Sequence, residues 1–464
     1  MRDANVAGMA LYRQSWVVDG ITPVGAYSIL RQDSPGGSFL LESVEPGERW
    51  GRYSILGYRP RRQVTLRAGE GDPFAQLAAR VPTGGEEVVD VAERFAHAHV
   101  GLIPYDIVHY ATKVPPWPGE PPVLARLLGE CTVVVFDNLT HTAELVAHDV
   151  EDLERVTAVL TRQAALAPIA PPNPQKLPLD LSVDTSDAEY EQIVLRAKEL
   201  IRAGDVFQVV PARTFSVKAR AASALDVYRA LRVLSPAPYM YLLELPAHEG
   251  AEPVSVIGAS PETLVRVEER RVTVRPIAGT RRRGRSPEED EALARELSAD
   301  PKELAEHLML IDLARNDVGR VATPGTVSVP VQFAVQRLSH VMHLASEVTG
   351  ELREGLGPFD VLRATFPAGT LSGAPKVRAM QLIRELEPRP RFAYGGAVGY
   401  VTRGTDLDFA IAIRTVVQRA GRFEVTAGAG LVADSVPRLE ALETRNKARA
   451  ALAAIAAAEQ AARE

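Results

Sequence analysis

What most limits the folds open to this chain is the spacing of its apolar runs. Short segments rich in β-branched residues recur from end to end: GSFLLESV and TVVVFDNL early, VFQVVPART, YMYLLEL, VSVIGAS and RVTVRPI in the middle, GAVGYV, DFAIAIRTVV and FEVTAGAGLV late. Runs of this length and composition read as strands. Many lie too close together for a crossover helix between them, which favours antiparallel pairing. Helical segments punctuate the series. Ser186–Ala203 carries an N-cap serine, early acids, apolar residues at helical spacing and a terminating Gly204. A longer helical stretch covers about Pro287–Ala314, another covers Val377–Leu386, and the Ala-rich Glu440–Arg463 closes the chain. The expectation is a mixed α+β fold with a large antiparallel sheet system flanked by helices.

The series is interrupted at Ala167–Pro178 (APIAPPNPQKLP), with five prolines in twelve residues. Proline removes backbone donors and resists helix, so 167–180 reads as an extended connector between an N-terminal part, 1–166, and a larger part, 181–464. Val114–Pro122 (VPPWPGEPP) reads as a surface loop. Composition narrows the function class. At 46% hydrophobic and 24% charged, the 464 residues sit near the globular average, which argues against disorder. No window approaches the ~20 apolar residues of a membrane span, and the first residues lack a signal-peptide layout. The lone Cys131 excludes an internal disulfide or a thiolate-rich metal site, as suits a cytoplasmic protein. With 53 Lys+Arg against 59 Asp+Glu, the net charge of −6 argues against a nucleic-acid partner. A soluble enzyme is the expectation.

Four constellations could carry chemistry. Glu303 and Glu306, in DPKELAEHLMLIDLARNDVGR, share one face of a helix, and Glu440 and Glu443, in RLEALETRNKARA, repeat the spacing. Together they could present four carboxylates to a hard cation such as Mg²⁺, although from spacing alone a solvated helix face is the commoner outcome. His340 and His343, in RLSHVMHLASEV, lack the context of a zinc site. A catalytic base and a satisfied, partly buried histidine both remain open for them. FPAGTLSGAPK could aim backbone N–H groups at an anion, but it has Pro375-Lys376 where a Walker motif has Gly-Lys. The glycine clusters YGGAVGY and AGAGL flank Arg414 in AIAIRTVV. An inward arginine in an apolar strand needs an anionic partner, either a structural carboxylate or a substrate carboxylate held bidentately.

Taken in order, FLLES, DVFQVVPAR, GASPE, RPIAGTRRRG, DPKELAEHLMLIDLARNDVGRV, LSHVMH, FPAGTLSGAPK, YGGAVGY, AIRT and AGAG…DSVP…E..ETRNKA resemble the motifs of the chorismate-utilising enzymes. The likeness runs from about Gly36 to Lys447 and is densest beyond Val183. Within the family it is strongest to the large chains of anthranilate synthases. The resemblance implies a two-part structure with the active site in a cleft, 1–166 being a regulatory portion and 181–464 the chorismate-binding portion. It also implies Mg²⁺ on Glu303, Glu306, Glu440 and Glu443, bound to the ring carboxylate of chorismate. Arg414 and Tyr394 match residues that hold the enolpyruvyl carboxylate, with backbone groups around Gly428 and Gly430 helping to hold the carboxylates. Thr370, Gly279 and Thr280 match ring-contacting positions, Glu262 the general acid, and His343 a histidine of the pyruvate-elimination step.

Two positions point to a branch of the family. Relatives that add water carry a lysine where Gln208 stands, and aminodeoxychorismate synthases carry a nucleophilic lysine where this PIAGT run has Ala278. Their absence disfavours isochorismate and salicylate synthases, and leaves aminodeoxychorismate synthase as the alternative to anthranilate synthase, in which ammonia itself attacks C2 of chorismate. Cys131 is not set in the glycine-rich elbow of a glutaminase, so the expected ammonia source is a separate glutamine amidotransferase subunit in a hetero-oligomer. FLLES and APYMYLLEL resemble a tryptophan feedback site, placing Glu42, Ser43, Pro238, Tyr239 and Met240 around that inhibitor. Two departures stand out: Arg438 at an often acidic position, and FAHAHVGLIPY (Phe95–Tyr105) in place of a glycine-rich stretch.

Overall fold

The computed structural model describes the chain except residues 1–3, 7–8, 45–50, 86–87, 89, 120–121, 161–165, 339–340 and 464. Two large sheets organise it, and every strand pairing among the described residues is antiparallel. The first has twelve strands, in the order Ala4–Val6, Met9–Val17, Thr142–Ala147, Thr132–Asp137, Tyr53–Tyr58, Ser38–Glu42, Tyr239–Leu245, Val254–Ser260, Thr415–Arg419, Arg422–Gly428, Ala212–Lys218 and Ser182–Val183. The second runs Ile277–Arg282, Val341–Glu351, Arg271–Val274, Thr263–Glu268, Leu407–Ile411, Ala397–Val401, His99–Ile103, Val123–Gly129 and Arg62–Arg67, with Ser328–Arg337 also paired to Val341–Glu351. Strands from before and after the proline-rich segment therefore share both sheets.

Side-chain alternation explains the layers. Along Tyr239–Leu245, Tyr241, Leu243 and Leu245 pack in one core cluster with Phe39 of their own sheet and Val100, Leu102 and Leu128 of the other. Met240 and Leu242 point the opposite way, toward the helices Pro23–Leu30, Ala224–Leu234 and Pro437–Ala461. A strand's period of two thus gives one face to the opposing sheet and one to a helical layer. The second sheet is covered on its far side by Pro301–Gly319 and Pro358–Thr365. No helix among the described residues is long and apolar enough to cross a membrane.

Proline and polar side chains set several boundaries differently from the periodicity. The stretch expected as one helix over Pro287–Ala314 is two, Pro287–Ala299 and Pro301–Gly319. Pro301 disfavours helical conformation in the residue before it, and Asp300 caps the second helix by accepting from the Lys302 and Glu303 amides. DFAIAIRTVV also divides, into Leu407–Ile411 in one sheet and Thr415–Arg419 in the other. Arg414 is thus not a strand residue; it sits in the crossing, with φ at +51°, a left-handed conformation unusual for a non-glycine. A second crossing lies beside it. Val254–Ser260 belongs to the first sheet and Thr263–Glu268 to the second, so Pro261 and Glu262 bridge the two, and the Ile411 amide donates to the Glu262 carbonyl at 3.0 Å.

Candidate active site

The two crossings open into a cavity of about 590 Å³. Glu262 enters it from the second crossing. Its carboxyl is buried, and Oε1 accepts from the Thr370 hydroxyl at 2.9 Å. Burial pushes the carboxyl up to about 8, against the opposing pull of the Thr370 hydrogen bond and the Lys447 charge. At neutral pH the group therefore holds its proton. Thr370 comes from FPAGTLSGAPK, but that loop is not built around its lysine's charge. The Lys376 ammonium is spent on Asp317 at 2.6 Å and on the Pro367 carbonyl at 2.8 Å. The lysine therefore pins the loop that carries Thr370.

Opposite lie Gly279, Thr280 and His343, from the paired strands Ile277–Arg282 and Val341–Glu351. His343 Nδ1 is 2.8 Å from the Gly279 carbonyl, which can only accept, so Nδ1 carries the ring hydrogen and Nε2 keeps a free lone pair. Burial, together with the Arg414 charge, holds the imidazole below its ordinary value and hence neutral at pH 7. Gly279 has φ of +63°, and a Cβ there would come within 3.0 Å of Glu303 Oε2. Only glycine fits. His340, the other member of the histidine pair, falls outside the described residues.

All four glutamates line the same cavity, Glu303 and Glu306 from one helix and Glu440 and Glu443 from the other. The two helices thus turn these carboxylates toward a common cavity, although the Glu443 side chain stays 46% exposed. Burial raises Glu306, and the charges of Glu303, Glu440 and Glu443 push it further; Glu440 is raised by burial and by Glu443. Cations of the chain hold three of them: Arg281 on Glu303 at 3.2 Å, Lys302 near Glu306 at 3.8 Å and Lys447 on Glu443 at 2.7 Å. Among the described residues, no three acidic, histidine or cysteine side chains converge closely enough to enclose a metal. The donor set nevertheless suits a hard divalent cation: carboxylate oxygens in one cavity, two of them carrying a repulsion that such a cation would relieve.

Arg414 reaches the cavity partly buried. Nη1 donates to the Lys447 carbonyl at 3.1 Å, and no carboxylate lies in ion-pair range among the described residues. Burial lowers its affinity for its proton, with Tyr394 and Glu443 the nearby groups that favour its charge. Beside it, Tyr394 packs so close to Gly428 that a Cβ on the glycine would meet the phenol oxygen at 2.8 Å. Gly430, Gln208 and Ala278 complete this part of the lining. Lys447 was not singled out by sequence. It donates to the Gly428 carbonyl at 3.1 Å as well as pairing with Glu443, and its only signal was the E-x-x-x-K spacing in ETRNK. Arg281, in GTRRRG, likewise escaped notice.

A smaller cavity, about 80 Å³, lies on the far side of the Pro261 crossing. Glu42, Ser43, Pro238, Tyr239 and Met240 all line it, so the residues expected around an inhibitor do come together. Tyr228 donates to Glu42 at 2.6 Å, and Tyr239 shares its hydroxyl with Thr263 at 2.8 Å and Asp408 at 2.9 Å.

Residues 38–453 match the family described as chorismate binding enzyme. The chain belongs to that family. Among curated chorismate-binding relatives, anthranilate synthase component 1 from Pseudomonas aeruginosa is 46% identical over 96% of this chain and 95% of its own length. The crystal structure of anthranilate synthase component I from Streptococcus pneumoniae TIGR4 superposes with a TM-score of 0.75 at 33% identity, covering 94% of this chain and 98% of that one. The menaquinone-specific isochorismate synthase of Escherichia coli, at 18% identity and a TM-score of 0.73 over 98% and 96% of the two chains, shares the fold.

Proposed function

We propose that this chorismate-utilising enzyme is the large component of an anthranilate synthase, a cytoplasmic lyase that converts chorismate and ammonia to anthranilate and pyruvate. The observation that carries this reading is that Gln208 and Ala278 both line the cavity. Neither can serve as base toward water or as a covalent amine nucleophile at the two positions where other branches of the family carry lysine, which favours ammonia from outside the chain as the nucleophile. Mg²⁺, held by Glu303, Glu306, Glu440 and Glu443, would supply positive charge against the ring carboxylate. The chain's own residues do the rest. Arg414, with Tyr394, holds the enolpyruvyl carboxylate, and backbone around Gly428 and Gly430 confines the substrate. Thr370, Gly279 and Thr280 bracket the ring.

As ammonia attacks C2, Glu262 delivers its proton to the C4 hydroxyl, which departs as water. His343 Nε2 then takes the C2 proton, the bond between ring C3 and the enolpyruvyl oxygen breaks, and the ring becomes aromatic as the enolate leaves and takes up a proton at its methylene carbon to become pyruvate. The imidazole's neutrality is what makes it competent as the base. The names of the relatives, component 1, support a second component, and we assign it the glutaminase role.

The test is direct. The purified chain with chorismate, Mg²⁺ and ammonium should produce anthranilate fluorescence, and omitting either ion should abolish it. Glutamine in place of ammonium should give no product without a partner subunit; efficient glutamine-dependent turnover by the chain alone would sink the assignment of a separate glutaminase. We further assign the smaller cavity to tryptophan as feedback inhibitor. Ser43→Phe, which fills that cavity, should raise the tryptophan concentration for half-inhibition at least tenfold and leave uninhibited turnover within about twofold. Unchanged inhibition in rate assays would count against the site.

A further inference from the structure

Next to the catalytic cavity two opposite charges are buried together. Glu387 follows the helix Lys376–Leu386 and Arg391 comes four residues later, with side chains only 4% and 1% exposed. The guanidinium Nε donates to both Glu387 oxygens, at 3.1 and 3.0 Å. Other contacts reach beyond the pair. Arg391 Nη1 donates to the Leu371 carbonyl at 2.8 Å and Nη2 to the Val210 carbonyl, while Glu387 accepts from the Ala212 amide at 2.8 Å.

These contacts end on the cavity lining. Leu371 and Val210 both line it, and Leu371 directly follows Thr370, whose hydroxyl donates to Glu262. The guanidinium also lies 5.4 Å from the centre of the Tyr394 ring, and the Tyr394 amide donates to the Arg391 carbonyl at 3.3 Å. We propose that the Arg391–Glu387 pair is a positioning unit for the reaction, holding Thr370 against Glu262 and Tyr394 against the enolpyruvyl carboxylate of the substrate. This rests on the reading of Glu262 as the acid and of Tyr394 as a holder of that carboxylate.

Two features separate this pair from ordinary core filling. A buried ion pair carries a desolvation cost that apolar residues of similar size avoid, so stability alone is a weak reason for its presence. A planar guanidinium fixes direction instead, and here one rigid group meets three backbone segments, at Val210, at Leu371 and at its own turn to Tyr394. The group is also held from outside. Tyr105 stacks on it at 4.8 Å and donates its amide to the Phe392 carbonyl at 2.7 Å, and Asp106 accepts from the Phe392 amide at 3.0 Å. Gly395 has φ of +72°, and a Cβ there would meet Tyr105 at 3.3 Å and both Arg391 and Leu371 at 3.7 Å. In packing this close the guanidinium cannot shift without taking Leu371 or Tyr394 with it. A misplacement of about 1 Å at reacting groups costs about 10²-fold in rate.

The experiment is steady-state kinetics of the full chain with chorismate, Mg²⁺ and ammonium, from neutral into alkaline pH. Arg391→Lys keeps a charge opposite Glu387, but a single ammonium cannot reach Leu371 and Val210 in one plane. Its kcat/KM should fall about 30–100-fold, with KM for chorismate raised through Tyr394. The alkaline limb set by Glu262 should move up by about half a pH unit or more, because loosening Thr370 weakens the hydrogen bond that favours the ionised acid. Lys447, the charge that faces Glu262, is untouched by the change. The double variant Arg391→Met with Glu387→Gln keeps an acceptor for the Ala212 amide and leaves no buried charge, so it should fold and show the same loss and the same shift. Turnover within about threefold of wild type in both variants overturns the proposal, as does a loss of rate with limb and KM both unmoved. Unfolding of both would make the pair a requirement of the fold and overturn it too. A wild-type chain whose profile lacks the limb would overturn the acid reading first and the positioning unit with it.

Discussion

Replacing Glu262 by glutamine should lower kcat by about 10³-fold, with chorismate affinity within a few-fold of wild type. Glutamine keeps the shape of the side chain and can still accept from Thr370, so what is lost is the transferable proton. The pH profile should carry the same signature. An acid with a value near 8 is protonated below it, so kcat/KM in the wild type should fall as pH rises through about 8. Thr370→Val should move that limb to higher pH, because the Thr370 hydrogen bond favours the ionised form. Stability follows pH in the same direction. The folded-state value lies above the ordinary 4.5, so the folded chain binds this proton more tightly, and the stability it lends is lost as pH rises from about 4.5 to 8. Glu262→Gln should consequently melt higher than wild type at pH 8 by scanning calorimetry, with the gap narrowing toward pH 5. A variant that keeps most of its turnover would remove Glu262 from the role of acid.

Arg414→Gln should cost about 10²–10³-fold in kcat/KM, almost all of it as a rise in KM for chorismate. Two charge-assisted hydrogen bonds to one carboxylate are of that size at about 1.4 kcal/mol per decade. Stability again separates function from architecture. Arg414 is a partly buried cation whose hydrogen bond goes to a backbone carbonyl, and it holds a strained left-handed backbone. A residue kept for packing would destabilise the chain when removed; one kept for an incoming anion leaves it as stable or more so. The melting temperature of the variant should therefore not fall. A sharp fall with an unmoved KM would make Arg414 structural.

How much of this was readable beforehand depended on whether the signal was local. The strand runs and the Ser186 helix start were legible because a period of two, a capping serine and its partner Glu189 act over a few residues. Helical spacing put Glu303 with Glu306 and Glu440 with Glu443, but it could not say that the two helices face one cavity, since that follows from long-range packing. The family resemblance supplied that link. The break at Pro301 was visible as a proline and missed as a boundary. Arg414 was read as a strand residue because its neighbours are apolar and β-branched. Nothing in AIAIRTVV announces that the chain changes sheets in the middle of it. Lys447 went unremarked for the same reason: what it touches, Gly428, lies on a different element.

The way the sheets are shared gives the proline-rich segment an unexpected character. Everything before it is zipped to everything after it along two seams, Ser38–Glu42 against Tyr239–Leu245 and His99–Ile103 against Ala397–Val401, each with five registered pairs. Both seams run through the core clusters, while the prolines themselves lie mostly exposed at the surface. The connector is thus a leash and not a joint. A single protease cut within 167–178 should yield two bands under denaturing conditions and one species of undiminished size in gel filtration, and the nicked chain should still turn chorismate over. Separate expression of either piece would expose a raw strand edge at each seam, and such edges aggregate.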